Sequence, residues 1–312
     1  MYKVSLLTIM VPVFNEEECI NTLYSKISEA AKTLSCDCEM LFINDGSTDD
    51  TLPLIKNLQL TDSRISIVDL SRNYGKEVAM TAGIDYLKGD TLVIIDADLQ
   101  DDPALLKQMV DEVENGYDDV YAQRISRKGE TWFKKKSSSW YYKVLAAMST
   151  VAIQKDTGDF RMLSQKAIAA LKGLGENERN MKGLFSFIGF RKKAIYYERD
   201  ERVAGKTKWN YFKLFNLAIR GITAFSTKPL RMISISGVII SIISFIFLVK
   251  IVFKALFYGD PVAGYPSLMS TVLFLGGIQL LSIGVLGEYV GIIFSETKKR
   301  PVYFINDYFS NK

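Results

Sequence analysis

The chain has 312 residues, 48% of them hydrophobic, and a formal net charge of +4. It contains no histidine, which excludes Ser-His-Asp catalysis, histidine general bases and histidine metal ligands. Its three cysteines, Cys19, Cys36 and Cys38, lack the spacing of a zinc site and are expected to be reduced thiols of a cytosolic domain. No nucleic-acid-binding motif accompanies the small positive charge, so no nucleic-acid partner is expected.

Strand and helix patterns alternate over the first part of the chain. Strands are predicted at Leu6–Val13, Glu39–Asn44, Ile65–Leu70, Thr91–Ile95 and Val120–Gln123. Strands separated by single helices predict right-handed crossovers, and hence an α/β domain with a mostly parallel sheet and helices on both faces. Ligands of such sheets bind beyond the carboxyl ends of the strands. Because a polar motif follows each of the first four strands, a site is expected at that edge.

The motif after the fourth strand is the most informative. Asp96 and Asp98 are two residues apart, so on an extended backbone they point the same way. Two carboxylates on one face repel each other unless a cation lies between them, and Mg²⁺ or Mn²⁺, completed by substrate phosphates, suits such ligands. A metal–diphosphate site is therefore predicted. The alternative is an acidic loop in which Asp101 or Asp102 caps the helix that begins at Pro103.

The patterns beyond the fifth strand are weaker. The sequence predicts a basic loop at Lys128–Lys136, a helix at Ser137–Ile153 and a charged loop at Arg199–Lys208. It also predicts a polar turn that opens a helix at Asp156–Arg161, and a late strand at Phe187–Tyr197.

Two long uncharged stretches, Ile233–Val249 and Tyr265–Gly287, follow this region. With its apolar flanks, each is long enough for the roughly 20 residues of a membrane-spanning helix. The spans are predicted at about 231–255 and 266–290, and the alternative is a buried hairpin in a large soluble core. The excess of basic residues at the outer ends places both ends, and the N-terminal domain, in the cytoplasm. These basic residues are Lys228, Arg231, Lys298, Lys299 and Arg300.

Four units are expected along the chain. They are a soluble α/β domain (1–210), a juxtamembrane amphipathic helix (211–229), a hairpin of two membrane helices (230–295) and a cytoplasmic tail (296–312). The alternative for the second unit is an ordinary surface helix of the soluble domain.

Five short motifs, taken in this order, resemble a known family. They are Val11–Glu16, Asn44–Asp49, Asp96–Asp101, Thr157–Arg161 and the loop from Arg202 to Lys208. They are similar to the polyprenyl-phosphate glycosyltransferases of glycosyltransferase family 2, which have a Rossmann-like GT-A fold and include dolichol-phosphate mannose synthase and the bactoprenol glucosyltransferases. The two apolar segments followed by Lys299-Arg300-Pro301 indicate the bactoprenol branch.

The resemblance implies a multi-pass enzyme of the bacterial inner membrane that transfers one sugar from a nucleotide sugar to undecaprenyl phosphate with Mg²⁺ or Mn²⁺. UDP-glucose is the first choice of donor, and a UDP-N-acetylhexosamine, GDP-mannose or an aminoarabinose donor are alternatives. The family further implies a homo-oligomer, a tetramer. A polymerising synthase and a non-enzymatic membrane module are the competing classes.

The resemblance also implies roles for individual residues. Asp96 and Asp159 are the expected catalytic acids, and Asp98 with Gln100 the expected metal ligands. The nucleotide-sugar pocket is expected to contain Pro12, Asn15, Glu16, Asp45, Asp96, Gln100 and Lys208, with Asp45 at the base. The acceptor phosphate is expected to bind Arg124, Lys135, Ser139 and Arg202.

Three alternatives to these roles stay open. Asp45 and Asp159 are also interpretable as helix caps, and Lys134–Lys136 as a run that faces solvent or lipid headgroups. The acceptor is already an anion, so the reaction requires positioning and charge neutralisation more than a strong base. Asp159 is therefore expected either to take a proton or to orient the acceptor or a basic side chain.

Overall fold

A computed structural model describes residues 2–125, 157–177, 179–197, 226–258 and 264–310. The strands in these ranges are β1 (Leu6–Val13), β2 (Asp37–Asn44), β3 (Ile65–Leu70), β4 (Thr91–Ile94), β5 (Asp119–Arg124), β6 (Thr157–Leu163), β7 (Lys192–Tyr197) and β8 (Ile305–Ser310). The helices are α1 (Ile20–Ala31), α2 (Thr51–Thr61), α3 (Lys76–Tyr86), α4 (Leu106–Glu114), α5 (Gln165–Lys172), α6 (Met181–Phe187), α7 (Lys228–Tyr258) and α8 (Tyr265–Thr297).

The described strands form one mixed sheet in the order β7-β5-β6-β4-β1-β2-β3-β8. Strands β1 to β4 are parallel neighbours and β7 is parallel to β5, whereas β6 and β8 run antiparallel to their partners. Helices α1, α2 and α4 contribute to the core on one face, and α3, α5 and α6 to the core on the other. The predicted α/β class, a mostly parallel sheet with helices on both faces, is confirmed.

Strand β1 shows why the central strands can be predicted from the sequence. Ile9 and Val11 point into one core and Met10 into the other, and all three are fully buried. A strand covered on both faces has an almost continuous apolar sequence, so its position follows from composition alone.

Two predictions between residues 156 and 197 are wrong. The segment expected to turn and open a helix is strand β6 from Thr157, which lies between β4 and β5. Its polar residues are tolerated inside the sheet because Arg161, 1% exposed, forms a buried ion pair with Asp119 at 3.1 Å. The late strand begins only at Lys192, because Phe187 ends helix α6.

The tail of the chain completes the sheet. Strand β8 pairs with β3, and Phe309 accepts a hydrogen bond at its carbonyl oxygen from Gln59 Nε2 at 3.2 Å. Tyr303 Oη donates to Asp85 Oδ2 at 2.8 Å. The sequence predicts a cytoplasmic tail here but no strand. In the structure, the residues after α8 return to the sheet and pair with β3.

Ending the chain after Phe304 is expected to destabilise the domain by about 2–4 kcal/mol, because β3 loses its edge partner and the packing of Ile305 and Phe309 is lost. Thermal unfolding in detergent measures the effect. Removing only residues 311–312 is the matched control and should leave the midpoint unchanged. An equal midpoint for the two truncations would contradict the structural role of β8.

Helices α7 and α8 carry the long apolar stretches. Their most apolar windows, Lys228–Phe247 and Phe274–Thr297, have mean hydropathies of 2.2 and 1.7, and neither window is buried against the rest of the protein. By length and composition both helices are able to cross a membrane. At the end of α8, Glu296 Oε1 accepts a hydrogen bond from the backbone N–H of Asn177 at 2.9 Å, which joins this helix to the α/β domain.

Candidate active site

The motifs that end β1 and β2 are held together at the predicted edge of the sheet. Asn15 Oδ1 accepts from the backbone N–H of Thr48 at 2.9 Å, and Asn15 N–H donates to Ser47 Oγ at 3.0 Å. Asn15 has a φ of 54°, a left-handed conformation that asparagine adopts more readily than most residues. Glu16 N–H donates to Thr51 Oγ1 at 2.8 Å, and Pro12 lies at the same end of β1.

Asp45 fixes the loop that follows β3. Its two carboxylate oxygens accept the backbone N–H groups of Tyr74 and Gly75 at 2.7 and 2.9 Å. Gly46 permits this approach, because a Cβ on it would lie 2.4 Å from the carbonyl carbon of Arg72. The interpretation of Asp45 as a cap of the next helix is wrong. Asp49 instead accepts the Thr51 N–H at the start of α2, at 3.1 Å.

The loop held by Asp45 delivers Lys76, the first residue of α3. Lys76 Nζ donates to Asp96 Oδ1 at 2.5 Å and also forms an ion pair with Asp159 Oδ2. The two expected catalytic acids therefore lie together, joined by one ammonium group. Lys76 belongs to the polar motif after the third predicted strand, and the sequence alone implies no role for it.

Asp159 lies within strand β6, so its interpretation as a helix cap is wrong. Burial opposes ionisation of Asp159, but the charges of Lys76 and Lys182 outweigh it and hold the pKa of the carboxyl below its usual value. A carboxylate with a lowered pKa is a weak base near neutral pH. Between the two roles left open by the sequence, the electrostatics favour orientation over proton abstraction.

Lys76 is the cation that contacts both acids. Burial lowers its pKa, but the negative charges of Asp96 and Asp159 raise it more, so the pKa of the amine stays above its usual value and the amine stays charged. Its side chain is 40% exposed and open to a ligand, whereas the side chains of Asp96 and Asp159 are 22% and 12% exposed.

The four acids after β4 divide into two pairs. Asp101 accepts from Tyr197 Oη at 2.5 Å, and Asp102 caps the short 3-10 helix at Pro103 by accepting the Ala104 N–H at 3.0 Å. Capping therefore explains Asp102, as the alternative interpretation expects. It leaves Asp96 and Asp98 for the site.

Asp98 and Gln100 are brought together by a tight turn. Leu99 has a φ of 58°, and the Gln100 N–H donates to Asp98 Oδ1 at 3.2 Å. Gln100 is 9% exposed, and its Oε1 is buried with no hydrogen-bond partner among the described residues. A left-handed leucine is strained, which is typical of functional loops.

These oxygens fit a hard divalent cation that arrives with phosphates. Mg²⁺ is commonly bound through one or two carboxylates while substrate phosphates and waters complete its octahedron. Asp98 and the unpartnered Gln100 oxygen match that limited donor set. Within the described ranges no cluster of three or more Cys, Asp or Glu ligands is placed to hold a metal, so a closed protein-only metal cage is not formed there.

Of the expected acceptor residues, the structure describes Arg124 alone. It ends β5, and a Cβ on Gly158 would lie 3.5 Å from its Nη2, so its guanidinium neighbours the strand that carries Asp159. Arg124 Nε is buried without a hydrogen-bond partner in the described part of the chain. Lys135, Ser139, Arg202 and Lys208 lie outside the described residues, as do the basic loop, most of the predicted amphipathic helix and the Arg199–Lys208 loop.

Glu77, beside Lys76, is a described acid with a strongly raised pKa. Burial, reinforced by the charge of Asp159, raises the pKa of Glu77 from 4.5 to about 7, although its Oε2 accepts the Met181 N–H at 2.8 Å. The folded state thus retains a proton that the unfolded chain releases. This contribution stabilises the fold below about pH 4.5 and is lost as the pH rises through about 7.

Replacing Glu77 by glutamine is expected to remove this loss of folding stability at higher pH. The amide oxygen can still accept the Met181 N–H, and no charge has to be buried. Relative to the wild type, the variant should gain about 2–3 kcal/mol of stability between pH 5 and pH 8. Unfolding midpoints at the two pH values measure the gain. A parallel pH dependence of both proteins would contradict the assignment.

Ligands of open α/β sheets bind beyond the carboxyl ends of the strands, where this sheet gathers carboxylates, an amide and a lysine. The pattern of Glycosyl transferase family 2 matches residues 8–171. The chain is 44% identical to an uncharacterized glycosyltransferase of Synechocystis sp., over 96% of this chain and 95% of that one. It is 42% identical to a bactoprenol glucosyl transferase of Shigella phage SfV, over 96% of this chain and 98% of that one.

Among solved structures, glucosyl-3-phosphoglycerate synthase from Mycobacterium tuberculosis, in complex with Mn²⁺, UDP-glucose and phosphoglyceric acid, matches with a TM-score of 0.47 and 18% identity. The match covers 70% of this chain and 78% of that one.

The chain belongs to glycosyl transferase family 2. It is an enzyme that transfers glycosyl groups, and the resemblance found in its sequence motifs is confirmed.

Proposed function

We propose that the protein transfers a single sugar from a nucleotide sugar to undecaprenyl phosphate at the cytoplasmic face of a bacterial membrane, with UDP-glucose as the first choice of donor. The observation that carries the proposal is the cluster of Asp96 and Asp159 around Lys76, together with the Asp98–Gln100 turn in the same loop after β4. The relatives named bactoprenol glucosyl transferase support the acceptor, since they match along almost the whole chain, both apolar helices included.

The reaction joins two polyanions. An oxygen of the lipid phosphate attacks the anomeric carbon, the bond from that carbon to the diphosphate breaks, and the nucleoside diphosphate leaves with the electron pair. The attacking oxygen is already ionised, so no proton has to be removed. The protein must bring the groups together and offset their charges.

Three groups of described residues would position the substrates and offset their charges. Asp98 and Gln100 would hold a divalent cation with the donor diphosphate, and such a cation stabilises the charge of the leaving group as a Lewis acid. Arg124, whose guanidinium neighbours the strand that carries Asp159, would bind the acceptor phosphate. Asp159, paired with Lys76, orients the basic groups that meet there.

The two apolar helices supply the place of the reaction. We propose spans at about 231–255 and 266–290, with both ends in the cytoplasm as the flanking basic residues require. The cytoplasmic domain then comprises residues 1–210 together with the tail that supplies β8. The contact of Glu296 with Asn177 holds the sheet close to the end of α8, where a lipid phosphate lies at the membrane surface.

Incubation of the purified full chain with undecaprenyl phosphate, Mg²⁺ and separate nucleotide sugars tests the proposal. The panel contains UDP-glucose, UDP-N-acetylglucosamine, UDP-N-acetylgalactosamine, GDP-mannose and an aminoarabinose donor. The mass of the extracted lipid is expected to rise by one hexose with UDP-glucose. A product from another donor would correct the sugar, and no lipid-linked sugar from any donor would contradict the proposed acceptor reaction.

A further inference from the structure

Lys76 occupies a built position between two elements that are far apart in sequence. It follows Gly75, whose φ of 96° is a conformation that side-chain-bearing residues rarely adopt. The loop before it is fixed by the two hydrogen bonds to Asp45. Its ammonium then reaches an acid after β4 and an acid on β6. The surrounding backbone thus holds the lysine within reach of both acids.

The ammonium separates like charges. Asp96 Oδ1 and Asp159 Oδ2 both contact the same nitrogen, so the two carboxylates are neighbours. Two carboxylates this close do not both stay ionised unless a cation lies between them. Lys76 supplies one positive charge, and a divalent cation would supply two.

We propose that Lys76 is an internal counter-cation that exchanges with the divalent cation at Asp96. Before the donor binds, its ammonium neutralises Asp96 and Asp159. With a divalent cation and the diphosphate bound beside Asp98, Asp96 would turn to them and Lys76 would keep Asp159. The inference deepens the proposed function and rests on its donor–metal site.

Two features distinguish this role from that of an ordinary structural ion pair. The Lys76 side chain is 40% exposed, so an incoming ligand is able to displace it. Asp159 Oδ2 is held by the lysine, whereas its Oδ1 is buried and has no hydrogen-bond partner among the residues described. An acid bonded through one oxygen alone is poised to change partners, and Lys76 keeps it in place meanwhile. Lys76 is therefore a positioning residue for Asp159.

The test measures the affinity of the nucleotide-free protein for Mn²⁺ alone. The electron paramagnetic resonance signal of the unbound ion reports how much Mn²⁺ stays free during the titration. The site is defined as the binding that Asp98→Asn removes. Lys76→Met, which keeps length and loses charge, is expected to tighten this binding about 5- to 10-fold, because a competing positive charge is gone. Lys76→Arg keeps the charge and should retain the wild-type affinity.

Lys193→Met is the matched control. Its side chain is 41% exposed, and it pairs with Glu112 at 3.7 Å near the start of the edge strand β7. The Lys193→Met variant should change neither Mn²⁺ affinity nor sugar transfer.

Lys76→Gln replaces Lys76→Met if the latter does not fold. With the proposed donor and acceptor, loss of the charge is expected to lower kcat about 10- to 100-fold with a smaller effect on KM.

Unchanged or weaker Mn²⁺ binding in the folded neutral variants would overturn the exchange. Undiminished transfer in those variants would overturn the positioning role. The metal titration does not depend on the sugar or the lipid. A tightened Mn²⁺ site therefore supports the counter-cation even if the wild type makes no lipid-linked sugar, an outcome that would contradict the proposed function alone.

Discussion

Replacing Asp159 by asparagine is expected to lower the rate of sugar transfer by about 10²- to 10⁴-fold. The amide is nearly the same size as the carboxylate but carries no charge to pair with Lys76. The lysine then loses one of its two acids, and the groups between donor and acceptor lose their orientation. Steady-state rates with saturating donor and acceptor measure the loss.

Binding of UDP should change little in this variant, because Asp98 and Gln100 are untouched. Asp111→Asn is the control, since Asp111 is exposed on α4, away from the strand-end site. A wild-type rate in Asp159→Asn would show that this acid is dispensable. A loss of equal size in Asp111→Asn would show that the effect is not specific to the site.

Replacing Asp98 by asparagine is expected to weaken metal-supported donor binding and to lower transfer by about 10²- to 10³-fold. The reason is the loss of the charged oxygen that, with Gln100, would hold the cation. The dependence of UDP binding and of transfer on Mg²⁺ or Mn²⁺ concentration measures the effect. Higher metal concentration should restore part of the activity, because the defect lies in affinity.

Asp102→Asn is the matched control for this substitution. Asp102 lies four residues further along the same loop and caps the 3-10 helix, and asparagine is an equally good cap. It should keep the wild-type metal dependence. Undiminished transfer by Asp98→Asn at limiting metal would mean that the assignment of Asp98 to the cation is wrong.

The sequence predicts the centre of this fold better than its margins. Strands β1 to β4 are found within about two residues of their predicted bounds, because both faces of each are covered and the apolar run is continuous. Strand β6 is not predicted, because Arg161 and Asp159 give it the composition of a turn. Their burial is tolerated through ion pairs with Asp119 and Lys76, which are distant in sequence.

The site shows the same division. The polar motifs were predicted to meet because the strands are parallel, and those of β1, β2 and the loop after β3 do meet through Asn15 and Asp45. The role of Lys76 does not follow from the sequence, because it depends on a contact with Asp159, which is 83 positions away. Likewise, the partner of β8 is β3, which lies more than 230 residues upstream. The six residues of β8 contain no local signal for this pairing.

The central claim is that this edge of the sheet transfers one sugar onto a lipid phosphate. Incubation of the wild type with undecaprenyl phosphate and excess UDP-glucose, with the lipid and the nucleotide products quantified together by mass spectrometry, tests it most directly. We predict one hexose on each lipid phosphate and one UDP released for each lipid consumed. Release of UMP, a lipid with several sugars, or UDP release without a lipid product would contradict it.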